Sequence, residues 1–202
     1  MRLTIIRHAQ SEGNVAENLG FPHTPLTAQG HEQARLVALR LQGEEFDAII
    51  ISPYTRTRET AAPVIASRTI EPVFDVRAQE HNFGEFHGTP YGGYRETAVS
   101  KHEDWREFRP LDGESVYDLR LRILALIDDL RSQHNGKNVL LVTHGGAIVN
   151  LLLGLYGDDV TMVQSYRQWN TAVSILEFPA NGLPKIVFLN DLSHLPAHLH
   201  SR

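Results

Sequence analysis

Two arginines and two histidines in this sequence have the chemistry needed to bind and attack a phosphoryl group. They are Arg7, His8, Arg56 and His144. Guanidinium groups present planar pairs of donors that match phosphate oxygens, and they stay charged at any working pH. Nearby positive charge disfavours imidazolium, so the two arginines should keep His8 neutral. A neutral imidazole is a competent nucleophile toward phosphorus, and we predict that role for His8.

His144 and Glu80 are the candidates for the remaining tasks in a phosphoryl transfer. We expect His144 to donate hydrogen bonds to the equatorial oxygens, where negative charge collects in the transition state. Glu80 lies in the loop "QEHNFGEFHG" (79–88) and is the candidate proton donor for the departing alkoxide. Glu85 is the alternative acid in that loop, and a role as a surface carboxylate is the alternative for Glu80.

Continuous apolar segments that are typical of buried strands precede these candidates. The segments are Arg2–Arg7, Phe46–Ile51 and Asn138–Thr143, with "PVFDV" (72–76) as a further short strand. Ligands of open α/β sheets bind beyond the carboxyl ends of the strands. The candidates lie at or just beyond those ends, so a parallel sheet would bring them to one crevice.

Amphipathic helices are predicted between the strands. Thr27 is a candidate N-cap for the first of them, and Ser115 with Asp118 resembles a capping box for a long helix. A further helix is expected from about Ala147. Apolar strands that alternate with such helices predict an α/β fold, a three-layer α/β/α sandwich with a mostly parallel sheet.

The segment after the second strand predicts another helix. Ser52 followed by Pro53 is typical of an N-cap and first helical residue, and we expect a helix from there to about Ser67. Pro63 should kink or shorten it. Thr60 is expected to be structural.

The last third of the chain predicts an antiparallel edge. The segments "TAVSILEF" (171–178) and "KIVFLND" (185–191) read as strands, and "PANGLP" separates them. A short turn-rich connection of this kind predicts a hairpin.

Composition restricts the classes of function. The 202 residues carry a formal charge of −5, which argues against broad nucleic-acid binding, and no apolar run is long enough for a membrane span. No cysteine is present, so disulfides and thiolate metal sites are excluded. Met1 and Arg2 lead directly into the first predicted strand, so we expect no signal peptide and a cytoplasmic protein. We expect one domain over 1–202, and a homodimer is left open.

Seven motifs together resemble the histidine phosphatase superfamily, in its branch with an RHG motif. In order they are "RHAQSEGN" (7–14), "PLTAQGHEQA" (25–34), "SPYTRTRETA" (52–61), "EHNFGEFHG" (80–88), "GESVYD" (113–118), "VTHGG" (142–146) and "LSHL" (192–195). The resemblance implies the fold of the cofactor-dependent phosphoglycerate mutases and catalysis without a metal or other cofactor. The usual glycine after the nucleophilic histidine is Ala9 here, so we expect a slight rearrangement of the pocket.

The resemblance also implies a role for each matching residue. His8 is similar to the residue that becomes phosphohistidine, and Glu80 is similar to the proton donor. The rest of the phosphate pocket would comprise Arg7, Asn14, Arg56 and His144, assisted by the backbone N–H of Gly145. Asn14 could instead cap the next turn.

Three functions remain open at this stage. The first is a phosphomonoester hydrolase for a small phosphorylated metabolite, and the second is a mutase that returns the phosphoryl group to the same substrate. Mutases of the family that the motifs resemble are longer chains with an extended segment after the acid loop. The segment between Gly88 and Leu111 is short here, which favours hydrolysis. The third is a phospho-ligand sensor, which would need neither His8 nor Glu80.

Two further regions carry charged or metal-ligating side chains. The variable segment at about 88–112 is the expected lid. Its candidate substrate contacts are Tyr91, Tyr94, Arg95, Lys101, His102, Trp105, Arg106 and Arg109. Its cations could grip a second anionic group or simply be solvated. The tail histidines His194, His198 and His200 lack a nearby carboxylate or cysteine, so no metal site is expected. The chain end should be exposed and partly mobile, except that the resemblance implies a position near the pocket entrance for His194.

Overall fold

The computed structural model describes residues 1–66, 68–157 and 159–202. Within these residues six strands form one sheet in the order β3-β2-β4-β1-β5-β6. The strands are β1 (Arg2–Arg7), β2 (Ala48–Ile51), β3 (Val73–Phe74), β4 (Asn138–Thr143), β5 (Val173–Glu177) and β6 (Lys185–Asp191). The pairs β3-β2, β2-β4 and β4-β1 are parallel, whereas β5 is antiparallel to both β1 and β6. The predicted hairpin therefore forms one edge, and its inner strand is the one that runs against the rest.

Helices connect and cover the strands. Their bounds in the described residues are α1 (Glu12–Val15), α2 (Ala28–Arg40), α3 (Thr55–Ile65), α4 (Tyr91–Lys101), α5 (Val116–Gln133), α6 (Gly145–Tyr156) and α7 (Val163–Tyr166). Short 3-10 turns occur at Val76–Ala78, Gly84–Phe86, Trp105–Glu107, Val160–Met162 and Ala197–Leu199. None of the described helices is both long and apolar enough to cross a bilayer.

The sheet is covered on both faces, as the predicted three-layer sandwich requires. On one face Ile5 packs in a cluster with Ile123 of α5 and Leu151 of α6. On the other face Ile6 packs with Val37 of α2. Burial of each such side chain contributes roughly 1.5–3 kcal/mol, so the two helical layers are stabilised by the alternating strand residues.

The predicted helix starts are confirmed at two places. The Thr27 hydroxyl accepts a hydrogen bond from the Gly30 N–H at 3.0 Å before α2. Ser115 and Asp118 form the expected capping box of α5. The helix α6 begins at Gly145, two residues before the predicted start.

The prediction for the helix after β2 was wrong at its start. Its N-cap is Tyr54, and α3 begins at Thr55 rather than at Pro53. Ser52 does not cap it, because the Ser52 hydroxyl bonds to the His144 ring. The helix ends at Ile65, two residues beyond Pro63, and Ser67 lies outside the described residues.

The segment at 88–112 contains more regular helix than the sequence suggested, since α4 occupies eleven of its residues. Tyr94, Ala98 and Phe108 form a small apolar cluster with Leu19. This cluster is separate from the two clusters of the sheet and lies beside the loop that carries Phe83. The segment thus packs on a base of its own next to the carboxyl ends of the strands.

Candidate active site

Three adjacent parallel strands bring the candidate residues together. In the sheet β4 lies between β1 and β2, with Arg7 opposite Thr143 and Ile51 opposite Val142. The residues that follow the strand ends, His8, Ser52 and His144, therefore share one edge. His8 lines the crevice at this edge, whereas Ser52 and His144 are fully buried beside it and do not line it.

His8 is 4% exposed, and its ring centre lies 5.2 Å from that of His144. Its Nδ1 lies 2.7 Å from the Ala9 carbonyl oxygen. A carbonyl can only accept, so Nδ1 carries the proton and Nε2 keeps its lone pair. Burial holds the pKa of His8 well below its usual value, and Arg56 and then Arg7 lower it further. From the sequence we expected the two arginines to lower the pKa of His8, but burial is the larger cause of the low pKa.

His144 is fully buried and bonded to Ser52. The Ser52 hydroxyl lies 2.7 Å from His144 Nε2, and it also accepts the Tyr54 N–H at 3.5 Å. Tyr54 occupies only one of the two lone pairs of this hydroxyl, but the described residues offer its proton no acceptor besides Nε2. This favours a proton on Nδ1 of His144. In the described part of the chain His144 Nδ1 has no hydrogen-bond partner. Burial, followed by Arg56 and His8, holds the pKa of His144 well below its usual value.

The two arginines are anchored through backbone carbonyls. Arg7 Nη1 donates to the Gln168 oxygen at 2.7 Å, and Arg56 Nη1 donates to the Phe21 oxygen at 2.9 Å. Burial lowers the pKa of Arg7 to about 10, although Glu80 opposes the shift, and burial also lowers the pKa of Arg56. Both guanidinium groups therefore stay charged at neutral pH, and Glu80 offsets part of that charge.

Gly145 is the first residue of α6 and packs against Arg7. A Cβ at this position would lie 3.2 Å from Arg7 Nε. The absence of a side chain thus allows the guanidinium to approach the start of the helix.

Asn14 caps the next turn, which is one of the two roles that the sequence left open. Its Oδ1 accepts from the Ser11 N–H and hydroxyl at 3.0 Å each, which caps α1. The same residue lines the cavity that contains His8. Asn170 also approaches Asn14 Oδ1 at 3.4 Å and donates to the His8 carbonyl at 3.0 Å.

Glu80 is held by three backbone N–H groups. Its Oε1 accepts from His81 at 3.0 Å and from Ala147 at 3.2 Å, and its Oε2 accepts from Gly146 at 3.0 Å. A Cβ on Gly146 would overlap Glu80 Oε1, so the close approach requires glycine. Glu85 is exposed and lines neither neighbouring cavity, which rules it out as the acid in this geometry.

Two adjoining cavities meet at Glu80. The smaller, of about 160 Å³, is lined by Arg7, His8, Ser11, Gly13, Asn14, Asn18, Leu19, Gly20, Arg56, Glu80 and Phe83. The larger, of about 260 Å³, shares Arg7, Glu80 and Phe83 with it and also touches Gly145. The carboxylate therefore lies between a compartment with two arginines and a second compartment beyond it.

Ala9 fits the loop without backbone strain. Its φ is not in the left-handed region, and its N–H donates to the Thr60 hydroxyl at 2.9 Å. Thr60 in turn donates to the Arg56 carbonyl, which gives it the structural role that was expected. The rearrangement predicted for alanine in place of glycine is not required by this backbone conformation.

Arginines of the 88–112 segment contact side chains of that segment or of α5. Arg106 pairs with Asp104 at 2.7 Å, and Arg109 pairs with Asp118 at 2.7 Å. Arg95 lies over the Trp105 ring at 4.0 Å. Of the candidates in the described segment, only Tyr91 and Trp105 line the larger cavity.

The tail is exposed at His198 and His200, as expected, but hydrogen bonds also attach it to the rest of the protein. Gln33 Nε2 donates to the Leu199 carbonyl at 2.6 Å, and the Ser201 hydroxyl donates to Asn170 Oδ1 at 3.0 Å. His194 Nε2 lies 3.4 Å from the Thr171 hydroxyl, and burial lowers the pKa of His194 to about 4. Across the described residues no group of histidines and carboxylates is arranged to hold a metal ion.

Sequence reasoning missed Ser52 and Asn170 as parts of this site. Ser52 had a signal, because it follows a strand end as the other candidates do, but the adjacent proline favoured a helix cap. No local sequence pattern pointed to Asn170, because it precedes β5 and contacts the His8 carbonyl only in the folded chain.

The comparisons with known proteins agree with this geometry. The family model for the histidine phosphatase superfamily (branch 1) matches residues 3–192. The chain belongs to this superfamily, as the resemblance in the motifs predicted.

Individual relatives have two kinds of name. "Probable phosphoglycerate mutase GpmB" of Photorhabdus laumondii is 33% identical, over 77% of this chain and 76% of its own length. "Putative phosphoserine phosphatase 2" of Hydrogenobacter thermophilus is 32% identical, over 96% and 97%. A phosphoserine phosphatase mutant from Entamoeba histolytica, solved with phosphoserine, has a TM-score of 0.82 at 26% identity and covers 96% of this chain and 99% of its own. The predicted phosphoglycerate mutase-like fold is confirmed.

Proposed function

We propose that this protein is a phosphomonoester hydrolase that acts on small phosphorylated metabolites through a phosphohistidine intermediate. The observation that carries the proposal is the His8 tautomer. The Nδ1–H of His8 donates a hydrogen bond to the Ala9 carbonyl oxygen. Nε2 therefore keeps its lone pair, and His8 lines a cavity with Arg7 and Arg56. The phosphatase names among the relatives support the same conclusion.

In the first step His8 Nε2 forms a bond to phosphorus while the ester P–O bond breaks. The electron pair of that bond goes to the ester oxygen, and Glu80 transfers a proton to it, which releases the alcohol. Glu80 Oε1 already accepts two N–H groups and Oε2 accepts one, so Oε2 has the capacity to carry that proton.

Charge on the phosphoryl oxygens is stabilised by fixed donors in the same step. Arg7 and Arg56 supply guanidinium charge from the wall of the smaller cavity. His144 is buried behind that wall, with its ring centre 5.2 Å from that of His8, and its Nδ1 has no other partner in the described chain, so we assign it the role of a further donor. Such preorganised donors act most strongly in a site from which water is excluded. Asn14 completes the wall of the smaller cavity, and the Gly145 N–H lies at the start of α6.

In the second step a water oxygen attacks phosphorus and the P–N bond breaks. Glu80, now a carboxylate, takes a proton from that water, and inorganic phosphate leaves. His8 regains the lone pair on Nε2, while Nδ1 stays protonated against Ala9. The cycle uses groups of this chain and requires no metal or cofactor.

A mutase is the second candidate, because one set of relatives is named for that activity. The two reactions share the first step and differ in whether water or a substrate hydroxyl accepts the phosphoryl group. The short segment between Gly88 and Leu111 favours water as the acceptor.

The proposal extends to the organisation of the chain. We infer one catalytic domain over 1–202, with the segment at 88–112 as its lid, because Tyr91 and Trp105 of that segment line the larger cavity. The cytoplasm is the proposed compartment. A homodimer stays a prediction.

The test compares two reactions and one variant. The protein should release phosphate from p-nitrophenyl phosphate in the presence of a metal chelator, and it should interconvert 3- and 2-phosphoglycerate more slowly than it hydrolyses them. His8→Ala should remove turnover and any acid-labile phosphoenzyme, because no other nitrogen replaces Nε2. Turnover retained by His8→Ala would reject the mechanism, and rapid interconversion would favour the mutase.

A further inference from the structure

The larger cavity at the site is positioned to receive the part of the substrate that leaves as an alcohol. It adjoins the smaller cavity through Arg7, Glu80 and Phe83. With the phosphoryl group between the two arginines and Glu80 beside the ester oxygen, the rest of the substrate must extend past Glu80. We call the cavity of about 260 Å³ beyond it the leaving-group cavity.

The walls of the leaving-group cavity are predominantly hydrocarbon. Aromatic and aliphatic side chains come from four separate parts of the fold: Phe83, Tyr91, Trp105, Leu119, Val149 and Leu153. At roughly 30 Å³ for each water in the liquid, the volume suits an alcohol of roughly ten non-hydrogen atoms. A three-carbon acid would leave much of this space unfilled.

Polar groups in the wall are engaged within the protein. Asn150 Nδ2 donates to the Gly146 carbonyl at 3.0 Å, and its Oδ1 accepts from Arg120 at 3.4 Å. Gln168 donates to the Tyr166 carbonyl at 2.9 Å and accepts from Ser174 at 2.7 Å. These contacts use part of the hydrogen-bonding capacity of both amides, so the amides offer a polar alcohol fewer partners than water does.

The cations near the cavity have contacts within the protein. In the 88–112 segment Arg106 is paired with Asp104, Arg109 is paired with Asp118, and Arg95 lies over the Trp105 ring at 4.0 Å. Arg167 is an exposed residue of the lining and donates to Gln164 at 3.3 Å. Arg120 bonds to Asn150 and lies 5.5 Å from the Tyr117 ring centre.

We propose that the leaving-group cavity selects phosphomonoesters of apolar, ring-bearing alcohols over those of short polar alcohols such as phosphoserine and phosphoglycerate. This inference rests on the hydrolase proposed above and names its substrate class. Each methylene moved from water into such a cavity favours binding by about fourfold. The charged groups of phosphoserine would lose their water without gaining equivalent partners.

The experiment uses primary alkyl phosphates, whose alkoxide leaving groups are of similar reactivity but carry different substituents. The series is ethyl phosphate, 2-phenylethyl phosphate, O-phosphoserine and 3-phosphoglycerate. We expect kcat/KM for 2-phenylethyl phosphate to exceed that for ethyl phosphate at least tenfold. O-Phosphoserine and 3-phosphoglycerate should fall at or below ethyl phosphate.

Two wall variants and one control locate the selectivity. Trp105→Ala and Val149→Thr should each reduce the ratio of 2-phenylethyl to ethyl phosphate at least threefold. The matched control is Trp169→Ala, because Trp169 packs under Arg202 and does not line the cavity. Its ratio should equal that of the parent protein. A ratio unchanged in both wall variants overturns the inference even if one variant folds poorly.

A small donor separates this inference from the hydrolase proposal. The acetate that leaves from acetyl phosphate is too small to fill the leaving-group cavity. Acetyl phosphate should therefore phosphorylate His8 regardless of the selectivity of the cavity. If acetyl phosphate phosphorylates His8 but O-phosphoserine is turned over as well as or better than 2-phenylethyl phosphate, the proposed substrate class is wrong. The proposed hydrolase activity is then unaffected. Neither label nor turnover with any ester overturns the hydrolase and the inference with it.

Discussion

Two buried histidines lie 5.2 Å apart in this site, and their hydrogen-bond partners give them different chemical roles. A backbone carbonyl faces Nδ1 of His8, so its Nε2 is the basic nitrogen. The Ser52 hydroxyl faces Nε2 of His144, and the described residues offer its proton no other acceptor, which favours a proton on Nδ1 of His144. Their low pKa values, caused first by burial, keep both rings neutral, and a neutral ring is donor at one nitrogen and acceptor at the other.

The first prediction at this scale concerns Ser52, which acts through His144 as a positioning residue. Ser52→Ala should lower kcat by about fivefold to tenfold with little change in KM, since it removes one hydrogen bond worth about 1 kcal/mol. Nitrogen-15 chemical shifts of the His144 ring should show Nδ1 protonated in the parent protein and a mixture of tautomers in the variant.

The control for Ser52 is Ser132→Ala, which removes an exposed hydroxyl bonded to the Asp129 carbonyl. It should change neither kcat nor the His144 shifts. A parent protein in which Nε2 of His144 carries the proton would contradict the assignment.

Glu80 carries the second prediction. Glu80→Gln should slow hydrolysis of alkyl phosphates by about 10²- to 10⁴-fold, because their alkoxides need a proton to leave. p-Nitrophenol leaves easily without one, so its phosphate should lose much less activity. The measurement is kcat for both esters, with Glu85→Gln as the exposed control from the same loop. An equal loss for both esters in Glu80→Gln would speak against acid catalysis.

At the scale of elements, the start of α6 positions the carboxylate of Glu80, the proposed catalytic acid. Gly146 and Ala147 donate to Glu80, and Gly146 leaves the space that the carboxylate occupies. Arg122 of α5 supports the other side of the loop by donating to the Glu80 carbonyl at 2.8 Å. Two helices on the same face of the sheet thus fix the position of one side chain.

Gly146→Ala tests this seating. The added methyl group would overlap Glu80 Oε1, so we expect a loss of kcat of at least tenfold that is greater for alkyl phosphates than for p-nitrophenyl phosphate. Gly92→Ala in α4 is the control, because a Cβ there meets no atom within 4 Å. Similar activities of the two variants would show that the glycine is not needed for Glu80.

For the whole molecule, the buried neutral histidines link stability to pH. Their folded-state pKa values lie below those of the unfolded chain, so the unfolded state binds more protons as the pH falls through about 6.5. The free energy of unfolding should therefore fall between pH 7.5 and 5.0. Each fully buried histidine contributes up to about 2 kcal/mol to this loss, and the partly exposed His194 contributes less.

Urea unfolding at the two pH values measures the effect. His194→Gln should reduce the loss of stability between pH 7.5 and 5.0 by roughly 1 kcal/mol, because one titrating group is removed. The exposed His198→Gln should leave it unchanged. If His194→Gln has the same pH dependence as the parent protein, the low pKa of His194 is not linked to folding.

The sequence predicted the strands, the class of fold and the convergence of Arg7, His8 and His144, because each of these depends on a local apolar run and its end. It failed where distant segments decide the outcome. Ser52 bonds to His144 across two neighbouring strands, and Asn170 reaches His8 from before β5. The packed tail depends on Gln33 in α2, which no local pattern connects to Ser201.

The position of β1 has a consequence for the order in which the protein can form. This first strand of the chain lies between β4 and β5, which are made much later in synthesis. Strand β1, which leads into His8, therefore stays unpaired until most of the polypeptide has been made. Pairing across such long separations is slow, so the nascent protein should depend on protection from aggregation before it gains any catalytic power.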